Sequence, residues 1–457
     1  MRRGFAGVNR YVRLLFTAPD IRRKLLITFV ILVIYRFVAH IPVPGVDRDV
    51  IAALVNQGSA ASTLVGLIDL ISGGTLLNFS VLAMGVYPYI TAQIILQLLM
   101  PLIPSLQKRM EEDPREGRKW MERWTYYLAV PMAALTAIGQ INIFSTFAGG
   151  QVVEGFGFFG PDANVLGSAA IIFSMTAGTM FAIWLGELIS EYGIRNQGLS
   201  LIIFAGIISR IPANFAQLLT GQVSGIISMI AIAIIMVLTV FVIVYVQQGR
   251  RNVPVMYPGR RMGNRMSMPV KGTLPLMVNM SGMIPLIFAQ AILQLPSILS
   301  AFFANSETAW VASLAAGVQN FFNPQAGWYW LLYFLMVFAF SFFYTDVLFA
   351  QQNYGENLKR VGAQIPGVSR GAPTQKYLTT VLRRITLPGA VFLGAIAVLP
   401  FIITRLLPFL ASSGAQSGLF LVSSSGLLIV VGTVRETFFN IDAELKLHGY
   451  EESLLVR

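Results

Sequence analysis

The residues of this chain that could carry covalent chemistry are few and stand at no catalytic spacing. Its 457 residues include no cysteine and two histidines, His40 and His448, which lie far apart in the sequence. Glycine-rich phosphate loops, HExxH and GxSxG motifs, and paired intramembrane carboxylates beside a histidine do not occur. The sequence therefore predicts no enzyme activity, no metal site and no cofactor, so energy for directional work must come from a partner or a gradient.

The polar side chains that could form a pathway stand in an otherwise apolar stretch, residues 64–100. Its first part, residues 64–71, is too short to cross a hydrocarbon core of about 30 Å, which takes about 20 helical residues. A Ser-Gly-Gly break follows, and residues 76–100 are long enough to cross. The pattern predicts a re-entrant half-helix followed by a full transmembrane span.

The full span of this stretch should be bent and should face something other than lipid. Gly85 and Pro88 predict the bend, because proline removes a backbone hydrogen bond and clashes one turn back. Non-helical backbone at membrane depth is tolerated only beside protein or a water-filled cavity. The side chains that would line such a pathway are Asn78, Ser80, Thr91, Gln93 and Gln97.

The composition of the whole chain indicates a polytopic membrane protein. Hydrophobic residues make up 55% and charged residues 12%, with a mean hydropathy of +0.67, whereas soluble chains carry about a quarter charged residues. Residues 1–24 read as a basic amphipathic segment on the membrane surface. Ten spans follow, near 25–40, 76–100, 124–147, 165–190, 199–219, 223–247, 273–298, 327–350, 385–404 and 417–434. The predicted fold class is thus an all-α integral membrane protein with ten transmembrane helices.

The positive charges predict the orientation of these spans. In the ten-span arrangement, 29 of the 33 lysines and arginines fall on one side, so both termini are predicted to be cytoplasmic. Residues 248–272 and 351–384 form long basic loops on that side. Two interpretations of the loops remain open, namely orientation charge and a docking surface for an acidic partner or RNA. The cations in question are Arg250, Arg251, Arg260, Arg261, Arg265, Lys359, Arg360 and Arg370.

The second span recurs later in the chain. Residues 85–98 and 282–295 are identical at nine of fourteen positions, at a constant offset of 197. The two segments are the second spans of two sets of five, and an odd number of spans per repeat forces opposite orientations. The sequence therefore predicts two inverted five-helix halves, residues 1–221 and 222–457.

The centre of these repeated spans is aliphatic. Val86 and Ile90 stand one helical turn apart, and Ile287 matches Ile90 in the repeat. Two interpretations are possible, ordinary packing and a hydrophobic constriction that closes a pore by dewetting. Inverted repeats also occur in secondary transporters of small solutes, but the predicted midplane is nearly free of charge, because Asp69 lies in the half-helix and Arg210 near the outer interface. A membrane-embedded enzyme is the third alternative, and it lacks an acid–base or metal constellation.

The chain resembles the SecY family of protein-conducting channels along essentially its whole length. The stretches that carry the resemblance are Ile41-Pro-Val-Pro-Gly45, Ser72-Gly-Gly74, Ala83-Met-Gly-Val-Tyr-Pro-Tyr-Ile90, Gly178-Thr-Met180, Trp184-Leu-Gly-Glu187, Ile202-Ile-Phe-Ala-Gly-Ile207, Asn279-Met-Ser-Gly-Met-Ile-Pro285, Phe342-Phe-Tyr-Thr345 and Leu427-Leu-Ile-Val-Val431. The resemblance implies a channel subunit of a Sec translocon, which translocates unfolded secretory polypeptides across the bacterial plasma membrane and releases membrane-protein segments laterally into it.

The resemblance also implies roles for individual residues. The half-helix would be a plug that closes the outer funnel, formed by Leu67, Ile68, Asp69, Leu70, Ile71, Ser72, Gly73 and Gly74. The pore ring would consist of Val86, Ile90, Leu199, Ile203, Ile287 and Ile429. Spans 2 and 7, with spans 3 and 8, would form a lateral gate to lipid, on which the polar positions are Thr91, Gln93, Gln97, Asn279 and Gln290.

The implied partners are SecE and SecG as small membrane subunits, the SecA ATPase, the ribosome, signal sequences and nascent polypeptides, and membrane lipid. The long basic loops would receive the ribosome or SecA. The chain departs from the family pattern at two places. Residues 193–198 read Gly-Ile-Arg-Asn-Gln-Gly, one residue longer than the usual Gly-Ile-Gly-Asn-Gly. Ser369 occupies the position of the family's motor-contacting arginine, and Arg370 follows it.

Overall fold

The structure is a computed structural model that describes residues 19–46, 79–99, 103, 114–148, 153, 156, 164–219, 223–258, 261–262, 265–266, 270–303, 308–322, 326–352, 354–406 and 424–447. The helices within these residues are α1 Pro19–Val38, α2 Tyr87–Leu99, α3 Pro114–Ala148, α4 Val165–Tyr192, α5 Gly198–Leu219, α6 Val223–Gln247, α7 Ile284–Phe303, α8 Ala309–Phe321, α9 Gly327–Gln352, α10 Tyr354–Arg360, α11 Ala372–Leu406 and α12 Ser424–Leu447. The strands within them are β1 Arg250–Tyr257, β2 Arg261–Met262, β3 Arg265–Met266 and β4 Val270–Met277.

The helices overlap the predicted membrane spans, but the predicted seventh span, residues 273–298, begins in β4 and is helical only from Ile284. Each of the ten predicted spans overlaps one of α1 to α7, α9, α11 and α12. Among the described residues, four helical segments are long and apolar enough to cross a membrane, and they are Val165–Tyr192, Ile230–Gln247, Gly327–Arg360 and Ala372–Ile403. The predicted class of a helical membrane protein is confirmed, while α8 and α10 were not predicted.

Lipid-facing surfaces are visible as exposed apolar side chains on these helices. α6 carries no charged residue, and its side chains Val237, Phe241 and Tyr245 are exposed. Such a surface is unfavourable in water, and a helix of this composition is stable when hydrocarbon surrounds it.

The second span differs from its prediction, because it is broken rather than bent. Residues 79–86 form turns, Gly85 has a φ of 53°, and the helix begins only at Tyr87. Gly85 can take up the left-handed conformation without a Cβ clash. Pro88 then lies in the first turn of α2, where its missing N–H has no helical partner to lose.

The broken segment is buried, and its backbone bonds with the chain after α1. The Val43 N–H donates to the Phe79 carbonyl at 3.0 Å, and the Val81 N–H donates to the Ile41 carbonyl at 3.0 Å. Phe79 and Leu82 are almost fully buried. Buried backbone polar groups must be paired, and these bonds explain how non-helical chain is held inside the protein.

The predicted repeat recurs in the geometry at the same offset of 197. Gly282 has a φ of 63° and corresponds to Gly85, and α7 begins at Ile284, which corresponds to Tyr87. A close backbone approach also repeats. A Cβ on Gly178 of α4 would lie 2.0 Å from the Val81 carbonyl oxygen, and a Cβ on Gly389 of α11 would lie 2.5 Å from that of Val278. α4 and α11 carry the fourth spans of the two predicted halves, so the geometry supports the repeat. The boundary at residues 221 and 222 lies outside the described residues and stays a prediction.

A single large apolar core joins the two predicted halves. It contains buried residues of α1 to α7, α9, α11 and α12, among them Tyr35, Leu82, Ile202, Leu286 and Leu428. Within it α2 packs on α3, α9 on α11, and α7 on both α3 and α9. The helices that carry the predicted pore and gate residues are therefore neighbours around one interior.

The first basic loop is a β-hairpin, which the sequence pattern did not predict. β1 pairs antiparallel with β4 from Arg250 opposite Met277 to Tyr257 opposite Val270, and β2 pairs with β3 further out along the hairpin. Val253 and Val255 are buried in the alternating manner of a strand. The prolines in β1 and β4 argue against strands in the sequence, because proline cannot donate to a ladder.

Candidate functional site

The six predicted ring residues all lie in or against the apolar core described above. Three of them, Val86, Ile203 and Ile429, are buried there, and the other three, Ile90, Leu199 and Ile287, are half-buried and pack against the same core. They come from five parts of the chain, namely the turn before α2, then α2, α5, α7 and α12. The structure thus brings together residues that are up to 343 positions apart in the sequence.

The local backbone explains how the ring residues in the repeated spans are placed. The left-handed turn at Gly85 ends just before Val86, and the Ile90 N–H donates to the Val86 carbonyl at 3.2 Å. Val86 and Ile90 are therefore one turn apart on one face of the chain. The equivalent turn at Gly282 starts α7, where Ile287 occupies the position of Ile90.

The ring residues on α5 are positioned by the loop that departs from the family pattern. In that loop Asn196 has a φ of 55°. Two side chains of α12 hold it, because the Gln197 Nε2 donates to Glu436 at 3.3 Å and the Asn440 Nδ2 donates to the Arg195 carbonyl at 3.1 Å. α12 also carries Ile429, so the longer loop is fastened to another ring-bearing helix.

These aliphatic side chains can exclude water and ions, but they offer no polar group that would bind a ligand. Branched aliphatic side chains offer no hydrogen bond to water or to an ion, so an empty ring can close a passage by dewetting. The same side chains make no specific polar contact with an extended chain. Among the described residues, no group of three or more His, Asp or Glu side chains could hold a metal ion.

A second apolar cluster marks the seam between α2 and α7. It contains Tyr87 and Ile94 of α2, Phe288 and Ala291 of α7, and Tyr344 of α9. The Tyr87 hydroxyl donates to the Ala291 carbonyl at 3.5 Å across the seam. The Phe288 ring lies edge-on to the Tyr344 ring at a centroid distance of 5.6 Å. Spans 2, 7 and 8, which the resemblance assigns to a lateral gate, are therefore in contact.

The predicted polar gate residues differ in burial and in their hydrogen-bond partners. Thr91 is buried, and its hydroxyl donates to the Tyr87 carbonyl in its own helix at 3.0 Å. The Asn279 Nδ2 donates to the Gly282 carbonyl at 3.1 Å and so shapes the turn before α7. Gln290 is buried on α7, and Gln93 and Gln97 are half-buried on α2.

Sequence reasoning missed the aromatic part of the seam. Tyr87 was read only as part of a family motif, and Phe288 was not singled out. A usable signal was present for Tyr87, because a buried tyrosine hydroxyl inside an apolar span needs a hydrogen-bond partner. Phe288 offered no such signal, since its role depends on which helix lies opposite.

The predicted plug lies in a part of the chain that the structure does not describe. Residues 67–74, including Asp69, lie outside the described residues, as does Arg260 of the basic hairpin. Arg261 lies in β2 and Arg265 lies in β3.

The two long basic loops form one body. The Met256 N–H donates to the Gln364 carbonyl at 2.8 Å, and the Gln364 N–H donates to the Met256 carbonyl at 2.9 Å. An apolar cluster beneath this pairing joins Val255 of the hairpin with Ile365 and with Leu382 of α11. Since a shared core holds the two loops, their cations belong to one surface, which we call the basic body, residues 250–277 and 354–384.

Most of the predicted docking cations are exposed on the basic body. Arg250, Arg251 and Arg370 are exposed. Lys359 and Arg360 are also exposed and lie 3.8 Å and 3.9 Å from the Glu356 carboxylate, pairs that contribute little at a surface. These cations remain accessible to an anionic partner.

Comparisons with known proteins agree with one another. The SecY family model matches residues 80–438. Protein translocase subunit SecY of Streptomyces coelicolor is 36% identical over 441 residues, covering 95% of this chain and 97% of that protein. The SecY subunits of Corynebacterium glutamicum and Mycobacterium leprae are each 35% identical, and these matches cover 95% and 94% of this chain and 98% and 96% of those proteins.

Solved structures show the same fold. One described as a protein-conducting channel has a TM-score of 0.61 at 18% identity and covers 94% of this chain and 95% of its own. Another, of a SecY protein whose plug domain is described as stabilising the closed channel and maintaining a membrane seal, has a TM-score of 0.62 at 19% identity and covers 95% of each chain.

Proposed function

This chain belongs to the SecY family, and we propose that it is the protein-conducting channel at the centre of a Sec translocon. It lets unfolded secretory polypeptides cross the membrane and releases membrane-protein segments laterally into the bilayer. By its family it is a translocase subunit rather than a catalytic enzyme. The observation that supports the proposal is that six aliphatic side chains, from five parts of the chain, lie in or against the one apolar core that joins the two predicted halves.

In the proposed channel, the six ring residues seal the passage, and membrane-protein segments leave it for the bilayer at the seam between α2 and α7. Val86, Ile90, Leu199, Ile203, Ile287 and Ile429 close the passage when it is empty and widen around an extended peptide of any sequence. Residues 67–74 plug the outer side. The α2–α7 seam is the lateral gate, because among the described residues it is joined by apolar side chains and by one long hydrogen bond, contacts that can part and re-form.

The partners follow from the surfaces and from the family. Translocase subunits work with other Sec components, and we propose that these are SecE and SecG in the membrane. The basic body is proposed to dock the SecA ATPase and the ribosome, since clustered arginines offer contacts to carboxylate and phosphate groups. Signal sequences and nascent polypeptides enter the channel, and lipid meets them at the gate.

The chain is a multi-pass membrane protein, and we propose that its membrane is the bacterial plasma membrane with both termini in the cytoplasm. The charge distribution supports this orientation, because 29 of 33 lysines and arginines fall on the side that holds the basic body.

A conductance experiment tests the ring. The variant Ile287→Asn with Ile429→Asn places two polar side chains in the apolar constriction. We expect a several-fold higher resting ion conductance in planar bilayers, because amide groups let water enter. The matched control, Ile287→Leu with Ile429→Leu, keeps the positions apolar and should stay closed. A chain lacking residues 64–74, measured in the same bilayers, should also leak if those residues form the plug.

The result that would overturn the ring is specific. If the asparagine variant is folded and correctly oriented but conducts no more than the leucine control, these side chains only pack. Translocation of a secretory precursor into protease-protected vesicles by the parent chain with its partners then shows whether the channel function stands without the ring.

A further inference from the structure

The short helix α8, between α7 and α9, presents an apolar stripe outside the protein core. Trp310, Leu314 and Phe321 are 68%, 60% and 48% exposed, whereas Ala315 is buried. The helix packs on α7 along its buried side. Residues Ala309–Phe321 include no charged side chain. A surface helix of this kind would be poorly hydrated if water surrounded it on all exposed sides.

The exposed surface of α8 divides into two faces. At about 100° of rotation per residue, Trp310, Leu314 and Phe321 fall within roughly 40° of one another. The exposed polar residues Ser313 and Asn320 fall roughly 80–100° away from the middle of that stripe. The helix therefore has three sides, one buried on α7, one apolar and exposed, and one polar and exposed.

The apolar stripe continues onto a membrane span. The Phe321 ring contacts the Trp328 ring at a centroid distance of 6.1 Å. Trp328 lies in the first turn of α9 and is exposed, and Leu331, one turn further along, is exposed as well. α9 belongs to one of the segments apolar enough to cross a membrane, so the surface next to Phe321 faces lipid.

We propose that α8 is an interfacial helix that lies in the plane of the membrane surface and binds phospholipid. Trp310, Leu314 and Phe321 insert at the boundary between headgroups and acyl chains, and Ser313 and Asn320 face water. Tryptophan suits this depth because its ring is apolar and its N–H is polar. In the proposed topology the loop after span 7 is outside the cytoplasm, so the lipid belongs to the outer leaflet.

Lipid fits this surface better than a protein partner does. A specific protein interface buries about 1,200–2,000 Å² in total, whereas the stripe consists of three side chains on a thirteen-residue helix. Its continuity with the lipid-facing side of α9 also leaves no boundary at which a protein partner would begin. Because α8 packs on α7, lipid binding here holds the end of α7 at a fixed depth.

The experiment uses single-cysteine variants, because the chain has no cysteine of its own. Leu314→Cys and Asn320→Cys carry a nitroxide label on the apolar and polar exposed faces of the same helix, in the full chain in phosphatidylethanolamine and phosphatidylglycerol vesicles. Spin-label power saturation then compares collisions with oxygen, which concentrates in lipid, and with a nickel chelate, which stays in water.

We expect the label at position 314 to collide mainly with oxygen, at a depth of about 5–10 Å below the phosphates, and the label at position 320 to collide mainly with the chelate. A label at Trp310→Cys should match the one at position 314. Equal chelate exposure at both positions would mean that α8 lies in water. Protection of position 314 from both reagents would mean that protein covers it, and either result overturns the proposal. The measurement needs no translocation, so it is independent of the proposed channel function.

Discussion

Tyr87 connects the sequence repeat to the seam at the scale of a single residue. It is the first residue of α2, which the left-handed Gly85 sets in place, and its hydroxyl reaches the Ala291 carbonyl of α7. The corresponding residue of the second half is Ile284, which has no hydroxyl to return the contact. The repeat is therefore asymmetric at the point where the two gate helices touch.

Tyr87→Phe should ease the opening of this seam. The change removes one hydrogen bond between α2 and α7, which at 3.5 Å is long and worth about 0.5 kcal/mol, or roughly 2-fold in the equilibrium between closed and open seam. We expect precursors with weakly hydrophobic signal sequences to be translocated more efficiently, measured as protease-protected product from a graded series of signals.

The control for this prediction is Tyr344→Phe, which removes a hydroxyl from the same cluster and leaves the bond to Ala291 in place. If both variants show the same signal requirement as the parent chain, the Tyr87 bond does not hold the gate. If both relax it equally, polarity of the cluster matters rather than this bond.

At the scale of elements, the sequence predicts long apolar helices well and short or interrupted elements poorly. Hydrophobic length alone places helices in all ten predicted spans. Gly85 and Pro88 predict a bend where the structure has a break. The break could not be predicted, because the pairing with residues 41–43 that stabilises the broken chain is a long-range contact. The hairpin was not predicted, because its strands contain prolines, which are unusual in strands. Its pairing with Gln364 is a long-range contact that no local sequence pattern shows.

The candidate site was predictable to a similar extent. The repeat pointed to Val86, Ile90 and Ile287 from residues alone, whereas Leu199, Ile203 and Ile429 required the resemblance. Helix packing places all six in or against one apolar core. Which residues face each other across the seam could not be predicted, because that depends on the rotation of α7 against α2 rather than on either sequence.

The arginines of the basic body lead to a prediction about ribosome binding. Replacing Arg250, Arg251, Arg260, Arg261 and Arg265 by glutamine should weaken ribosome binding, measured by co-sedimentation of vesicles between 50 and 200 mM salt. Cations that contact phosphates release counterions, so we expect lower affinity and a shallower salt dependence. Ion conductance should not change, because the hairpin packs away from the ring.

Arg383→Gln is the control for charge loss on the basic body. Its guanidinium already donates to the Asp346 carboxylate at 2.9 Å. Removing it should leave ribosome binding nearly unchanged. Equal affinity of the parent and the five-fold variant at low salt would leave orientation as the only role of the hairpin arginines.

For the whole molecule, two close backbone approaches fasten the second span of each predicted half to the fourth span of the same half. In the first half α4 lies against the broken chain before α2, through Gly178 and Val81. In the second half α11 lies against the chain before α7, through Gly389 and Val278. α2 and α7 are thus each fixed at their start to a helix of their own half. α7 also packs on α3 of the first half, and one apolar core joins the halves, so an opening of the seam between α2 and α7 has to separate these contacts as well.

Substituting the two glycines tests this construction. In Gly178→Ala and Gly389→Ala the new methyl group would meet a backbone carbonyl at 2.0 Å and 2.5 Å, so the helix must shift, which costs about 1–3 kcal/mol as in other overpacked cores. We expect each variant to unfold at lower denaturant concentration in bicelles.

Gly317→Ala in α8 is the matched control, because a Cβ there meets nothing within 4 Å and alanine favours a helix over glycine by about 1 kcal/mol. Because the two contacts lie in different halves and share no residue, the double variant should lose about the sum of the two single losses. Stability equal to the control in both single variants would show that the close approaches relax without consequence. A strongly non-additive double variant would show that the two contacts are coupled through the core that joins the halves.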